Sequence, residues 1–461
     1  MNRRLLFLGF FLPPSRASGV YRTRAMVNRL AREGWDVTAL GAPLEFLRDV
    51  VRSTDDSLLA TLDPRVRIER PPLDTYVWEK DLRRYGRLRR FLPKVAKRRY
   101  EVVSNLNFPE HYGSWGWSCV RAGLKLHRER PFDAVVATGN PYATFAAAHT
   151  LHRLRGIPYV IDFRDSWTLD QFGDTVKYPP NHPACRWERR AMGRAASSVF
   201  VNECTRQWYA ERYPAVADRT MVVPNGWDPD LLDLSGLADG AGAPADRPLR
   251  LGFLGTLTDR MPIGELVAAF GAARGAPELA GATLDLYGHL GFTPNAVAAL
   301  RELLGLPDGA DETPGGIRYR GPVSKTEVAG FYRDSDVLVF LAGGSRYVTS
   351  GKIFEYMAAG RPIVSVHAPG IAAEDVLSGY PLWFTANSLE PGALAGAMRA
   401  AADAARTAPP ALRAAAREWA VRYQRDRLLD PFATRLAEIV DGRPLTPAAA
   451  PSAPVRVGEP V

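Results

Sequence analysis

Two Rossmann-like α/β domains are what this sequence predicts, and three observations predict them. Short apolar runs alternate with longer segments of helical periodicity, the pattern of a parallel sheet with crossover helices. The alternation runs through two series, separated by a stretch rich in Gly, Ala and Pro. No apolar run approaches the roughly 18 residues that a membrane-spanning helix needs.

In the first series, Leu5–Phe10, Asp36–Leu40, Ala134–Ala137, Tyr159–Asp162 and Ser198–Val201 read as buried strands. Arg22–Glu33, Tyr142–Arg155 and Cys185–Ala196 read as helices. Arg3-Arg4 before Leu5–Leu12 imitates a signal peptide, but Pro13-Pro14 ends the apolar run and a buried strand explains it better. The second series gives strands at Leu249–Leu254, Thr283–Tyr287, Ile317–Arg320, Val337–Leu341 and Pro362–Val366, followed by an alanine-rich helical region over 386–440. The expected organisation is an N-terminal domain over 1–227, a linker over 228–248, a C-terminal domain over 249–440, and a disordered Pro/Ala/Ser tail over 445–461.

Composition narrows the function. Of 461 residues, 46% are hydrophobic and 24% charged, which excludes a disordered chain or a fibre. The three cysteines, Cys119, Cys185 and Cys204, are too scattered for a disulfide framework or a zinc cage and suit a reducing compartment. The net charge is +9, and residues 80–100 alone carry ten cations against Asp81, so the excess is one local patch.

Ligands of such sheets bind beyond the carboxyl ends of strands, so with two domains the cleft between them is the expected site. Three strand-end loops carry chemistry. After the first strand, Ser18-Gly19-Val20 opens a helix where Gly19 permits close backbone approach and the amides favour an anion; a plain turn is the alternative. After Tyr159–Asp162, the run Asp162-Phe163-Arg164-Asp165-Ser166-Trp167 crowds two carboxylates, a guanidinium and an indole; an internal Asp–Arg pair is the alternative. After Val337–Leu341, Ser350-Gly351-Lys352 opens a helix with a cation at its N-terminus, against the dipole preference unless an anion such as a diphosphate sits there. Glu355 lies on the same face, and a carboxylate of that kind holds ribose hydroxyls. An intrahelical Lys–Glu pair is the alternative.

Taken in order, Ser18-Gly19-Val20, Asp162-Phe163-Arg164-Asp165-Ser166-Trp167, Pro224-Asn225-Gly226-Trp227-Asp228, Gly252-Phe253-Leu254-Gly255 and Gly351-Lys352-Ile353-Phe354-Glu355-Tyr356-Met357-Ala358-Ala359-Gly360-Arg361-Pro362 resemble the retaining glycosyltransferases of the GT-B fold, family 4 type, over roughly residues 3–430. The resemblance implies a GT-B architecture and a nucleotide-sugar donor held mainly by the C-terminal half. Glu355 would bind the ribose, and Lys352 with the amides of Ser350 and Gly351 the diphosphate. Val323 would contact the base. Gly255 and Arg260 would line the donor site, with Arg260 standing in for the family's Arg/Lys pair. Gly19 and Val20 would approach the diphosphate or acceptor, and Arg164 and Asp165 the donor sugar or acceptor, so Asp165, Arg164 and Lys352 form the expected catalytic set. Tyr347 stands where many relatives carry a first glutamate, and Thr138-Gly139-Asn140-Pro141 where they carry a histidine.

Breaking an anomeric C–O bond leaves an oxocarbenium-like sugar and a diphosphate gaining charge, which preorganised donors stabilise. The resemblance implies front-face attack with the leaving phosphate taking the acceptor proton, so no protein nucleophile, no metal and no cofactor beyond the co-substrate are expected. Asp334-Ser335-Asp336 precedes a strand and reads as a turn rather than a metal site. His149 and His152 read as core or surface residues.

In the basic patch, Leu82, Tyr85, Leu88 and Phe91 recur at helical spacing among arginines until Pro93. A basic amphipathic segment suits an anionic membrane surface, with Arg83, Arg84, Arg87 and Arg90 as contacts; a solvated helix packed on the domain is the alternative. No stacking array or nucleic-acid module accompanies it, so no nucleic-acid partner is expected. The combined expectation is transfer to a lipid-linked or surface-polysaccharide acceptor in the cytoplasm, at the inner face of the cell membrane. A natural-product glycosyltransferase, a GT-B sugar-nucleotide epimerase and a non-catalytic nucleotide-sugar-binding subunit are the rivals.

Overall fold

A computed structural model describes residues 3–108, 110–234, 237, 242–307, 309–323 and 327–446, with side chains except at 84 and 103–107. The strands are β1 (Arg4–Leu8), β2 (Asp36–Leu40), β3 (Arg67–Glu69), β4 (Ala134–Gly139), β5 (Tyr159–Phe163), β6 (Leu169–Asp170), β7 (Thr175–Val176), β8 (Ser197–Phe200), β9 (Thr220–Val222), β10 (Arg250–Leu254), β11 (Thr283–Tyr287), β12 (Ile317–Gly321), β13 (Val337–Leu341), β14 (Ile363–Val366) and β15 (Trp383–Thr385). They form a seven-stranded sheet ordered β3-β2-β1-β4-β5-β8-β9, a six-stranded sheet ordered β12-β11-β10-β13-β14-β15, and the small pair β6-β7. Every pairing in the two large sheets is parallel. This is the two-domain α/β architecture expected from the alternation.

Why the strands form is plain from their residues. Arg4–Leu8, Ala134–Gly139 and Val337–Leu341 are buried along their whole length, as central parallel strands covered on both faces must be. The helix Val20–Arg32 buries ten of its residues and places Arg29 and Arg32 in its last turn, where cations suit the dipole.

The order of each sheet reverses at one point, between β1 and β4 in the first and between β10 and β13 in the second. Crevices at the carboxyl ends open at such switch points.

The described residues divide into two units, those up to Pro224 together with 428–446, and those within Asn225–Arg427. The expected C-terminal domain ran to 440, but the helix Asp430–Val440 packs on the first unit. Leu429, Phe432, Ala433 and Leu436 join Met26, Leu30, Trp35 and Met221 in one core. Apolar burial draws the segment there, and Arg29–Asp430 and Arg3–Asp441 pairs fix it. Trp227, expected in the first domain, and the described residues of the expected linker belong to the second unit: Trp227 donates its indole N–H to Ala420 O (2.9 Å) and Asp228 pairs with Arg425 (3.0 Å). Of the expected tail, residues 447–461 lie outside the described residues. Among the described residues no helix is long and apolar enough to cross a membrane.

Candidate functional site

In the first unit, the loops after β1, β4 and β5 meet at the switch point. Gly19 precedes the helix Val20–Arg32, and a Cβ built on it would lie 1.1 Å from Nη1 of Arg164. The guanidinium takes the space a side chain at position 19 would fill, so glycine here leaves room for Arg164. Arg164 Nε donates to Gly139 O (3.1 Å), and Nη2 to Asn140 O. Thus the structure brings Gly19, Arg164 and the Thr138–Pro141 loop together. Val20, beside Gly19, is buried in the core. Asp165 is exposed; desolvation by the surrounding protein raises its carboxyl, and Arg164 opposes this.

Asp162 has a different task. Its carboxylate is fully buried and takes Arg22 Nη2 (2.7 Å), Arg22 Nε (3.1 Å) and the Thr138 hydroxyl (2.8 Å). Arg22 also donates to Val223 O (2.9 Å) and Pro224 O (3.1 Å). So Asp162 pairs with an arginine 140 residues away rather than with its neighbour Arg164, and this ion pair ties β5 to the first helix and to the end of the unit. Trp167 is buried, stacked on Tyr142 with ring centroids 4.9 Å apart.

Glu110, which sequence reasoning passed over, reaches the same edge. Its two oxygens accept from Tyr142 N–H (3.1 Å) and Ala143 N–H (3.0 Å), at the start of the helix Ala143–Arg155. Burial pushes its carboxyl up to about 7 against the pull of those amides. Nothing local in Asn107-Phe108-Pro109-Glu110 marks it. His149 is buried with Nδ1 3.3 Å from the Tyr159 hydroxyl, a core role.

In the second unit, the helix Lys352–Ala358 starts at Gly351 and presents Lys352 and Glu355 at the carboxyl edge. Lys352 Nζ lies 3.1 Å from Glu355 Oε2, so the intrahelical pair is formed. The same oxygen accepts from the hydroxyl of Tyr332 (2.8 Å), a fully buried side chain on the helix Val328–Asp334. Burial, with the Glu355 charge, holds that phenol far above its ordinary pKa, so it stays a neutral donor. The Lys352 amide donates to Ser350 Oγ (3.3 Å), closing the turn. Tyr332 belongs to the site although no sequence signal links it to Glu355.

Tyr356 connects this helix to β10. Its hydroxyl accepts from Leu254 N–H at 2.9 Å, next to Gly255. Gly288 has φ +127°, and a Cβ there would lie 1.9 Å from Gly255 O, so these loops touch backbone to backbone. Arg260 is exposed, and its carbonyl packs against Gly343 of the loop after β13, where a Cβ would come within 2.7 Å. Gly255, Arg260, Ser350, Gly351, Lys352 and Glu355 therefore surround the β10/β13 switch point. Val323 lies two strands away, after β12, half-buried against the second unit's core. Tyr347 is buried, its ring 5.0 Å from the Arg346 guanidinium carbon. Asp336 pairs with Arg247 (2.7 Å) at the start of β13, a structural pair as the turn reading expects. Among the described residues no group of three or more His, Cys, Asp or Glu could hold a metal ion.

Two parallel-sheet α/β units, each with a loop cluster at its switch point, are the architecture of the GT-B fold. Residues 19–226 match the model of a glycosyl transferase 4-like domain, and residues 248–403 that of the glycosyl transferases group 1. The chain thus carries both domains of a GT-B glycosyltransferase. No curated relative matches its sequence. Among solved structures, the fold is similar to sucrose-phosphate synthase from Thermosynechococcus elongatus (TM-score 0.60, 16% identity, covering 96% of this chain and 99% of that one). It is also similar to a glycosyltransferase from Rickettsia africae (0.62, 14%, 95% and 99%) and to Anabaena Alr3699/HepE, solved with UDP and glucose (0.57, 14%, 95% and 100%).

Proposed function

We propose that this glycosyltransferase moves a sugar from a nucleoside-diphosphate donor to a hydroxyl acceptor with retention of configuration, and that the acceptor is a lipid-linked or surface-polysaccharide intermediate at the inner face of the cell membrane. The observation that carries the donor half is the Glu355 carboxylate, held between Tyr332 and Lys352 at the β10/β13 switch point. A carboxylate fixed from below by a buried phenol is preorganised to accept ribose hydroxyls. Lys352, half-exposed beside it, sits where a leaving diphosphate would gain charge. Gly288 lets its loop close on Gly255 at the switch point, Arg260 adds a cation there, and Val323 offers a backbone contact to the base. Anabaena Alr3699/HepE, described in complex with UDP-glucose, supports a nucleotide-sugar donor.

In the first unit, Arg164 and Asp165 supply charge for the acceptor, with Gly19 giving the guanidinium its room; Val20, being buried, contributes packing. The leaving phosphate takes the acceptor proton, so no side chain is assigned as nucleophile and no cofactor beyond the co-substrate. Arg83, Arg87 and Arg90 are exposed and supply cations toward anionic lipid; the side chain of Arg84, the fourth expected contact, lies outside the described residues. A calorimetric titration with UDP, GDP, ADP, TDP and CDP, in EDTA, tests the donor half. One diphosphate should bind, and Glu355→Gln should weaken it by about 1–3 kcal/mol. Equal affinity in a folded variant would remove Glu355 from the site.

A further inference from the structure

The basic segment does not fold as the single stripe its spacing suggested. Gly86 and Pro93 interrupt it, leaving a single turn at Leu82–Arg84, a short helix at Arg87–Phe91 and a longer one from Pro93 to Asn107. One arginine, Arg89, holds the hairpin together. Its guanidinium carbon lies 3.7 Å from the Tyr85 ring centroid and 4.2 Å from that of Tyr76, and it donates to Tyr76 O (2.6 Å) and Glu79 O (3.0 Å). Tyr76 in turn stacks on Tyr100 at 4.7 Å, and Ala96 is buried.

This clamp turns the large apolar residues outward. Phe91 is 72% exposed, Leu82 70%, Leu92 54% and Val95 52%. Exposed cations surround them at Arg83, Arg87, Arg90, Lys94, Lys97 and Arg98. A domain that merely rested a basic helix on its own surface would bury the apolar stripe and expose only charge. Here the stripe is outside, and a cationic rim around an apolar tip matches an anionic bilayer in both charge and polarity. The segment Val77–Asp81 just before the hairpin also lines a half-open groove, whose walls mix Phe46 and Trp78 with the charges of Arg48, Glu45, Asp49 and Glu79.

We infer that this hairpin inserts Phe91, Leu92, Val95 and Leu82 into the interface of an anionic membrane, anchoring the first unit beyond electrostatic adsorption. The inference rests on the membrane part of the proposed function and is independent of its donor half. Vesicle binding therefore decides it whatever nucleotide the protein takes.

The test is sedimentation of the full chain with phosphatidylcholine vesicles, with and without phosphatidylglycerol, across a salt series. Binding to the anionic vesicles should persist in part at high salt. The Phe91→Ser/Leu92→Ser/Val95→Ser variant, altered only at exposed positions, should bind at least ~tenfold more weakly with an unchanged melting curve. Binding that high salt abolishes completely overturns insertion without reference to the variant, and so covers the case in which the variant misfolds. Equal binding by a folded variant overturns it too. No vesicle binding overturns the membrane as partner, and tight binding of bulk tRNA, or a dimer that the triple variant dissolves, then names what the exposed tip meets instead.

Discussion

The two switch points use charge in opposite ways. At β1/β4 the strongest ionic contact, Arg22 with Asp162, is sealed inside the unit, with side chains 2% and 0% exposed. At β10/β13 the corresponding pair, Lys352 with Glu355, stays partly open at 33% and 16%. The first pair joins segments 140 residues apart, whereas the second spans three residues of one helix. A buried pair of long sequence separation is a fastener, because removing either partner strands a charge without solvent. A half-open pair of neighbours contributes little to folding and keeps its charges available to a ligand.

That contrast can be broken experimentally. Arg22→Ala should cost about 3–5 kcal/mol, read as loss of the first unit's transition in denaturant titration. A change below about 1 kcal/mol would show that the pair does not fasten the unit. Tyr332→Phe comes next. It removes the donor under Glu355 and should weaken nucleoside-diphosphate binding by about 1–2 kcal/mol by calorimetry. Undiminished affinity would mean the carboxylate needs no such support.

Gly19→Ala should cost less than about 1 kcal/mol of stability, since the guanidinium it meets can swing away. Turnover, measured as diphosphate release with acceptor, should fall because Arg164 is displaced; full turnover would detach Arg164 from the reaction. Smallest in stability is Lys352→Met, expected within about 0.5 kcal/mol of the parent. It should depress kcat more than donor affinity, because leaving-group charge grows in the transition state. A loss confined to affinity would make Lys352 a plain binding residue.

The same contrast explains what could be read from the chain. Lys352 and Glu355 were legible because helix start, cation, carboxylate and closing glycine fall in one contiguous run. The run after β5 allows an internal Asp–Arg pair, but that the partner of Asp162 is Arg22 could not be read, because Arg22 lies on another element and no local pattern announces a long-range ion pair. Tyr332 and Glu110 were missed for the same reason. The central strands were visible as apolar runs, whereas β3, β9 and β15, three residues each at sheet edges, are too short to show a period. In the basic segment the break at Pro93 is legible, whereas the break at Gly86 is hidden by a spacing that charge and apolarity otherwise keep.

The return of the chain after Leu428 has a practical consequence. A fragment cut where the first family match ends, at residue 226, would leave Met26, Leu30 and Trp35 facing water where Phe432 and Leu436 now cover them. The first unit is thus not a genetically separable piece. Anyone expressing it alone must graft residues 428–446 back on, and a natural exchange of donor domains between such enzymes must either spare that final helix or carry a new one that fits.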